Sequence, residues 1–131
     1  MRHTLATLTI ALLISSSLLC VNVWQRQQAQ YRDGMAGEAR GDFMVALTGY
    51  ESAIRMYLPF SPTIERSAER IWALGLAAEQ RHDPAQALVA YRSLRSAFYA
   101  VRWLLQPGED WIKRCDAKIA ALIPRSMKEK P

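Results

Sequence analysis

Few side chains in this sequence have the types and spacing that catalysis or metal binding requires. The 131 residues include two cysteines, Cys20 and Cys115, and two histidines, His3 and His82, all far apart along the chain. A metal site needs ligands at short, regular spacings, and no Cys-x-x-Cys or Cys/His pattern occurs. Cys20 lies in an apolar run and Cys115 near the far end of the chain, so both are predicted to be free thiols. Neither a metal nor a cofactor is expected.

The carboxylates are spaced for ion pairing rather than for catalysis. Glu65 and Glu69 stand beside Arg66 and Arg70, which is the arrangement of charges along a helix surface. A catalytic site instead gathers titratable groups in one pocket. The sequence also lacks a Gly-rich phosphate loop and a Gly-x-Ser-x-Gly nucleophile elbow. We therefore expect no catalytic residues and no small-molecule substrate, and the protein is not expected to be an enzyme.

One basic stripe could bind phosphates or lipid headgroups. Its members recur at helical spacing: Arg92, Arg95, Tyr99 and Arg102. Such a stripe with an aromatic residue can grip anionic groups, whereas the simpler interpretation is a solvated flank of a core helix. The net charge of +5 is scattered among acidic residues, so nucleic acid is not the partner expected first. The stripe defines the alternative function, an exported soluble or accessory protein that binds anionic lipid or nucleic acid.

A segment of 17 residues occurs twice in the chain, 41 positions apart. Residues 34–50 and 75–91 share 8 identities. The identical pairs are Gly34 and Gly75, Ala36 and Ala77, Glu38 and Glu79, Arg40 and Arg81, Asp42 and Asp83, Ala46 and Ala87, Leu47 and Leu88, and Tyr50 and Tyr91. Self-similarity at a fixed period indicates a repeat architecture. The small residues Gly75, Ala78 and Ala87 predict two antiparallel helices that approach closely, with Tyr91 able to fill the space that they leave.

This pattern resembles the tetratricopeptide repeat family. Residues that fit the family pattern are Gly34, Ala46, Tyr50 and Ala53 in the first repeat, and Leu74, Gly75, Ala87 and Tyr91 in the second. The resemblance covers residues 27–95 and departs from the usual period of about 34 residues. The excess lies in the loop 58–64, which contains two prolines. The resemblance implies two antiparallel helix hairpins, followed by a helix that covers the exposed face of the last hairpin.

The resemblance also implies a binding surface. In this family the first helix of each hairpin lines a concave face that binds peptides. The matching positions are Gln28, Tyr31, Met35 and Glu38 in the first repeat, and Glu69, Trp72, Leu76 and Glu79 in the second. Tyr31 aligns with Trp72 and Glu38 with Glu79, so the groove is expected to carry paired aromatic and acidic positions. The other interpretation is that Trp72 and Leu76 are buried against the insertion or the final helix.

An uncharged run precedes the repeats. Leu5 to Trp24 contains 20 residues without a charge, and about 20 residues in a helix match a hydrocarbon core of about 30 Å. Arg2 lies before this run, and Trp24 and Arg26 stand at its other end, as expected of interface residues. Residues 1–24 are predicted to be an uncleaved membrane anchor, since no Ala-x-Ala-like cleavage site follows. A cleaved signal peptide and a buried soluble helix are the alternatives.

The orientation of a single-pass anchor depends on the basic residues that flank it. Counting lysines and arginines would place the domain in the cytoplasm, because Arg26, Arg32 and Arg40 follow the run. A very short basic N-terminus before a first apolar segment instead behaves like a signal anchor. We favour an exported domain, periplasmic if the source is bacterial, and the cytoplasmic orientation stays open.

The rest of the chain predicts an all-α domain over residues 25–123 and a basic disordered tail over 124–131. The segment from Gln25 to Arg40 is expected to continue the membrane helix outward. Asp83 and Pro84 are expected to start a long helix that runs to Leu105 and stops at Pro107-Gly108. A final amphipathic helix is predicted from Trp111 to Leu122. These features together predict a membrane-anchored adaptor or assembly subunit whose partner is another protein.

Overall fold

The computed structural model describes residues 2–128, with side chains from residue 4 to residue 124, and all regular structure in this part of the chain is α-helical. The five helices described are α1 (Arg2–Ala39), α2 (Phe43–Arg55), α3 (Pro62–Gln80), α4 (Pro84–Ala100) and α5 (Glu109–Lys128). The all-α prediction is therefore confirmed for these residues. Short turns join α1 to α2 and α3 to α4, whereas longer loops follow α2 and α4.

Helix α1 joins the apolar run (residues 5–24) to the packed domain without a break. It is 38 residues long, so the prediction that the segment after Trp24 continues the same helix is confirmed. Between Thr4 and Ala39 it has the length and composition to cross a membrane, with a mean hydropathy of 2.1 and none of that apolar window buried. The apolar run is thus exposed, while the last turns of α1 pack in the domain.

Close contact between glycines packs α2 against α1. Asp42 begins α2 by accepting a hydrogen bond from the backbone N–H of Val45 at 3.1 Å. The two helices run in opposite directions, and Gly49 of α2 lies against Gly34 of α1. At that point the missing side chains allow the two backbones to approach closely.

Helices α3 and α4 repeat the aspartate cap and the close contact between the two helices. Asp83 caps α4 by accepting a hydrogen bond from the N–H of Gln86 at 2.8 Å, and Pro84 takes the first helical position. The ring of Tyr91 packs over Gly75. Tyr50, Tyr91, Ile54, Ile71 and Leu94 are the largest fully buried apolar side chains, and they lie on three successive helices. One continuous core therefore joins the two copies of the repeat.

Side-chain contacts arrange the helices in two layers. Helices α1, α3 and α5 run in the same direction, and α2 and α4 run opposite to them. The contacts that fix this order are Gln28 with Thr63, Glu38 with Arg70, Glu65 with Trp111, and Glu79 with Lys118. Helix α2 also packs on α3 and on α4. The layer formed by α1, α3 and α5 is the one that holds all eight predicted groove positions.

Helix α4 is shorter than the sequence predicts. It ends at Ala100 rather than at Leu105. The side chain of Gln106 donates a hydrogen bond to the carbonyl of Phe98 at 3.0 Å, which satisfies a backbone oxygen at the helix end. Gly108, with a φ of +69°, then turns the chain across the ring of Phe98. The predicted apolar face of α4 thus stops at Phe98, because the loop turns back and caps the helix.

Helix α5 extends beyond its predicted end. It runs from Glu109 to Lys128 and includes Pro124, so it continues into the segment predicted to be a basic tail. Residues 129–131 of that tail lie outside the described residues. The buried side of α5 carries Trp111, Ile112 and Cys115, which join the core. This position agrees with the expected role of covering the last helix pair.

Candidate protein-binding surface

The two copies of the repeat hold the same hydrogen bond. The hydroxyl of Tyr50 donates to Glu38 at 2.7 Å, and the hydroxyl of Tyr91 donates to Glu79 at 2.5 Å. Both partners of the second bond lie 41 positions after those of the first. The internal repeat found in the sequence is therefore also a repeat of side-chain geometry.

An aromatic pair accompanies each of these bonds. The rings of Tyr31 and Tyr50 lie 5.5 Å apart at an interplanar angle of 53°. The rings of Trp72 and Tyr91 lie 4.9 Å apart at 54°. Tilted pairs at these distances are favourable because the edge of one ring meets the face of the other. Tyr31 and Trp72, which align in the sequence repeat, thus occupy equivalent positions in the two copies.

A cation from the next helix of the same layer approaches each carboxylate. Arg70 of α3 lies 3.4 Å from Glu38, and Lys118 of α5 lies 2.7 Å from Glu79. Both carboxylates therefore have partners inside the chain. They act first as links between neighbouring helices, and a ligand that used them would have to share or displace these cations.

Burial keeps the two tyrosine hydroxyls protonated. Desolvation, and then the hydrogen bond to Glu38, raise the pKa of Tyr50 to about 12. Desolvation and the bond to Glu79 raise the pKa of Tyr91 as well. Each phenol must keep its proton to donate to a carboxylate in a buried setting. The bonds persist as long as the pH stays below these raised pKa values.

The predicted groove residues differ in how far a partner could reach them. Met35 is 44% exposed, and Glu69 is exposed as well. The remaining six are half-buried: Gln28, Tyr31, Glu38, Trp72, Leu76 and Glu79. Gln28 donates a hydrogen bond to Thr63 at 2.5 Å, which fixes it between α1 and α3. Met35 is thus the apolar groove position that a partner reaches most easily.

Helix α5 covers the aromatic position of the second copy. The ring of Trp72 lies 5.9 Å from that of Trp111, and the guanidinium of Arg114 lies 4.4 Å from the centroid of Trp72. Arg114 also lies 4.3 Å from the ring of Trp111. A cation over an aromatic face is a stabilising contact. The structure thus places Trp72 between Tyr91 and α5, close to the alternative in which the final helix buries it.

Only three of the four residues of the basic stripe lie on one face of α4. Arg92 and Tyr99 are exposed on α4. Arg95 forms an ion pair of 2.8 Å with Asp116 of α5. Arg102 lies beyond the end of α4 at Ala100. The prediction of a continuous stripe is therefore corrected, because α4 ends too early and a carboxylate of α5 faces its middle.

Several residues that organise this surface were not identified from the sequence. Gln27 is fully buried, and its amide donates to the carbonyls of Ala53 and Met56, each at 3.0 Å. Ser61, which occupies the N-cap position of α3, donates a hydrogen bond from its hydroxyl to Gln27 at 2.5 Å instead of capping its own helix. A glutamine in a Gln-rich segment gives no signal that separates it from its neighbours. Arg114 and Lys118 likewise resemble ordinary surface charges of an amphipathic helix.

The described residues contain no group of three or more His, Cys, Asp or Glu side chains that could hold a metal ion. Cys115 is buried and Cys20 is exposed, and both are free thiols. Burial raises the pKa of Cys115 to about 12, so its reactive thiolate form is suppressed.

Comparison with known proteins finds no match to a protein family, to a curated protein or to a solved structure.

Proposed function

We propose that this protein is a membrane-anchored adaptor whose helical-repeat domain binds another protein. The observation that carries the proposal is the continuity of α1. Its first part is an exposed apolar run of membrane-spanning length, and its last turns are the first helix of the packed domain. A domain that shares a helix with its anchor is held at a fixed distance and angle from the bilayer. That arrangement suits the presentation of a surface to a membrane-bound partner.

The tetratricopeptide-like interpretation of the domain is part of this proposal. It is supported by the 41-residue repeat, by the Tyr–Glu bond present in both copies, and by the glycine contacts of Gly34 and Gly75. It is also supported by the layer of α1, α3 and α5, which supplies the first helix of each hairpin. On this interpretation, a partner segment lies along that layer and contacts Met35 and Tyr31 of the first copy.

The anchor is tested on the mature full-length chain. We expect intact-mass analysis to find residues 1–24 present, and carbonate extraction to leave the chain in the membrane fraction. The positive charges at Arg2 and Arg26 bound a run of about 20 residues, which is enough to span the core. A mature chain that begins beyond Ser17, or that carbonate releases, would refute the anchor.

The binding surface is tested with two matched methionine variants. Met35 and Met44 are both exposed, 44% and 58% respectively, but Met35 belongs to the proposed groove and Met44 lies on α2. In a pull-down from detergent with the full-length chain, Met35→Glu should weaken capture of the partner tenfold or more, which is about 1.4 kcal/mol. Met44→Glu should leave capture unchanged. Equal capture by both variants would place the binding surface elsewhere.

The anchor test and the binding-surface test can fail independently of each other. Loss of the anchor with an intact groove would leave a soluble or secreted binding module. An intact anchor without any effect of Met35→Glu would leave a membrane protein that uses another surface. Circular dichroism of each variant shows whether a loss of capture reflects a loss of fold.

A further inference from the structure

Two loops expose large apolar side chains that the fold does not use. Phe60 in the α2–α3 loop is fully exposed, and Trp103, Leu104 and Leu105 in the α4–α5 loop are 87%, 81% and 84% exposed. We call these four residues the apolar patch. Exposed apolar groups in such a cluster mark a surface that meets another protein or a membrane.

The two loops meet at one end of the domain. Tyr57 and Pro59 from the first loop and Trp103, Leu104 and Leu105 from the second line one open depression of about 650 Å³. The antiparallel pairing of α3 with α4 explains this proximity. Gly75 packs on Tyr91, so residues beyond Ala100 lie level with the start of α3 at Pro62, where the first loop ends.

The same end of the domain lies beside the apolar run of α1. Along the α1–α2 pair, Gly34 contacts Gly49, and Gln27 contacts Met56. Residues 57–60 continue past Gln27, toward the start of α1. Gln27 is three residues beyond Trp24, a rise of about 4.5 Å along the helix. The first loop therefore lies at the level where the apolar run ends.

One valine near the end of the apolar run is less exposed than its neighbours. Val23 is half-buried, whereas Val21, two residues before it, is 51% exposed. Val23 lies four residues before the buried Gln27 and so on the same face of α1. The rest of the segment from Thr4 to Arg26 is exposed. The face of α1 that holds Gln27 thus becomes less exposed from Val23 onward.

We propose that the apolar patch inserts into the interface of the bilayer that α1 spans, so that lipid is a ligand of the domain as well as of the anchor. The inference rests on the membrane anchor of the proposed function. If α1 crosses the membrane with Trp24 at the interface, the hydrogen bond between Ser61 and Gln27 places the α2–α3 loop close to that depth. The α4–α5 loop, which meets it, lies there as well. Tryptophan and other aromatic residues favour this zone.

The backbone conformation of Phe60 is a second unusual feature of this exposed residue. Its φ is +67°, a left-handed conformation that a bulky residue rarely adopts and that glycine or asparagine would take at less cost. An aromatic residue held in this conformation and left wholly in solvent gains nothing from the fold. A residue kept in such a state points to function, and insertion among lipid chains would give the ring an apolar environment.

The charges around the patch indicate that apolar contact, rather than charge, drives the insertion. Arg102 precedes the patch, and Glu109 and Asp110 follow it in the first turn of α5; all three are exposed. These charges are of both signs, so the patch has no strong preference for anionic lipid. Zwitterionic phosphatidylcholine should therefore suffice as the lipid.

The test uses nitroxide labels on the full-length chain in phosphatidylcholine nanodiscs that hold one copy each. One label is placed at Leu104→Cys and one at Met44→Cys, a matched exposed apolar position at the opposite end of the domain, both in a Cys20→Ala background. A third sample carries the label on native Cys20 and reports the anchor. For each label, we measure the ratio of collisions with oxygen to collisions with a water-soluble nickel chelate.

We expect that ratio to be several-fold higher at position 104 than at position 44, with Cys20 higher still. If position 104 equals position 44 while Cys20 is protected from nickel, the patch is in water and this proposal fails while the anchor stands. If Cys20 itself is open to nickel, the anchor fails, and the patch proposal with it. A label at 104 shielded from both reagents would mean that protein covers the patch, which also refutes lipid as its ligand. Phe60→Cys repeats the measurement on the other loop, where no packing is lost.

Discussion

Gly49 lies so close to Gly34 that a Cβ atom at position 49 would clash with the backbone nitrogen of Gly34. Real Cβ atoms do not approach a backbone this closely, so any side chain at position 49 must push α2 away from α1. The same contact joins the domain to the helix that holds the apolar run. The position of the repeat domain relative to that run therefore depends on this glycine pair.

We predict that Gly49→Ala destabilises the protein although alanine is the better helix former. Overpacking should cost about 1–3 kcal/mol, which exceeds the gain of about 1 kcal/mol in helix propensity. Thr48→Ala is the matched control, since Thr48 is the exposed neighbour in α2. Thermal melts of the full chain in detergent should show a lower midpoint for Gly49→Ala only. A higher midpoint for Gly49→Ala would mean that the helices are less tightly packed than the structure has them.

Stability should fall as the pH rises above about 10, through the titration of Tyr50. The pKa of this phenol rises from its ordinary value of 10.0 to about 12 on folding. Between these values the unfolded chain loses the proton first, so the free energy of unfolding decreases with increasing pH; below pH 10 the contribution is constant. The decline of the melting midpoint between pH 10 and 12 should be shallower in Tyr50→Phe. An equal or steeper decline would contradict the burial of this hydroxyl.

The sequence predicts those parts of the fold that local chemistry determines. Asp83, which is expected to start a helix, does cap α4, because a carboxylate at that position accepts a backbone N–H. Asp42 caps α2 in the same way. The repeat of small residues and tyrosines likewise predicts which helices touch, since Tyr50 packs on Gly34 and Tyr91 on Gly75. Each tyrosine is 16 positions from its glycine, so these signals are local in the sequence.

The sequence does not reveal features that depend on residues far apart in the chain. The end of α4 follows from Gln106 turning back to Phe98, and a helical period alone extends that helix to Leu105. The covering of Trp72 requires Arg114, 42 positions later in the chain. In the sequence, Arg114 is one of several charged residues on the polar face of a helix, and nothing distinguishes it as a contact of Trp72. The candidate surface is therefore predicted in its positions but not in its accessibility.

Cys115 should be unreactive in the folded chain. Burial raises the pKa of Cys115 to about 12, so almost none of this thiol is ionised near neutral pH, and the side chain is fully buried. Cys20 lies in the apolar run that detergent covers, so the test uses a Cys20→Ala background. In detergent, a maleimide should leave the folded chain unmodified and add once after denaturation. Rapid addition to the folded chain would show that α5 does not cover Cys115.

The bond between Tyr91 and Glu79 should contribute more to stability than an exposed ion pair does. A hydrogen bond to a charged group contributes about 1.5–3 kcal/mol when it is buried. Glu79 also pairs with Lys118, so a single substitution changes more than one contact. A double-mutant cycle with Tyr91→Phe and Glu79→Gln isolates the coupling between the two side chains. We expect a coupling free energy of about 1–2 kcal/mol.

The control cycle uses Lys113 and Glu109, an exposed pair one helical turn apart at 3.9 Å. Exposed pairs of this kind couple by about 0.3–0.5 kcal/mol, because solvent screens them. Unfolding free energies of the full chain in detergent supply both values. A coupling between Tyr91 and Glu79 no larger than that of the control would mean that the bond is not protected from water. In that case the repeated Tyr–Glu contact would be a consequence of helix packing rather than one of its causes.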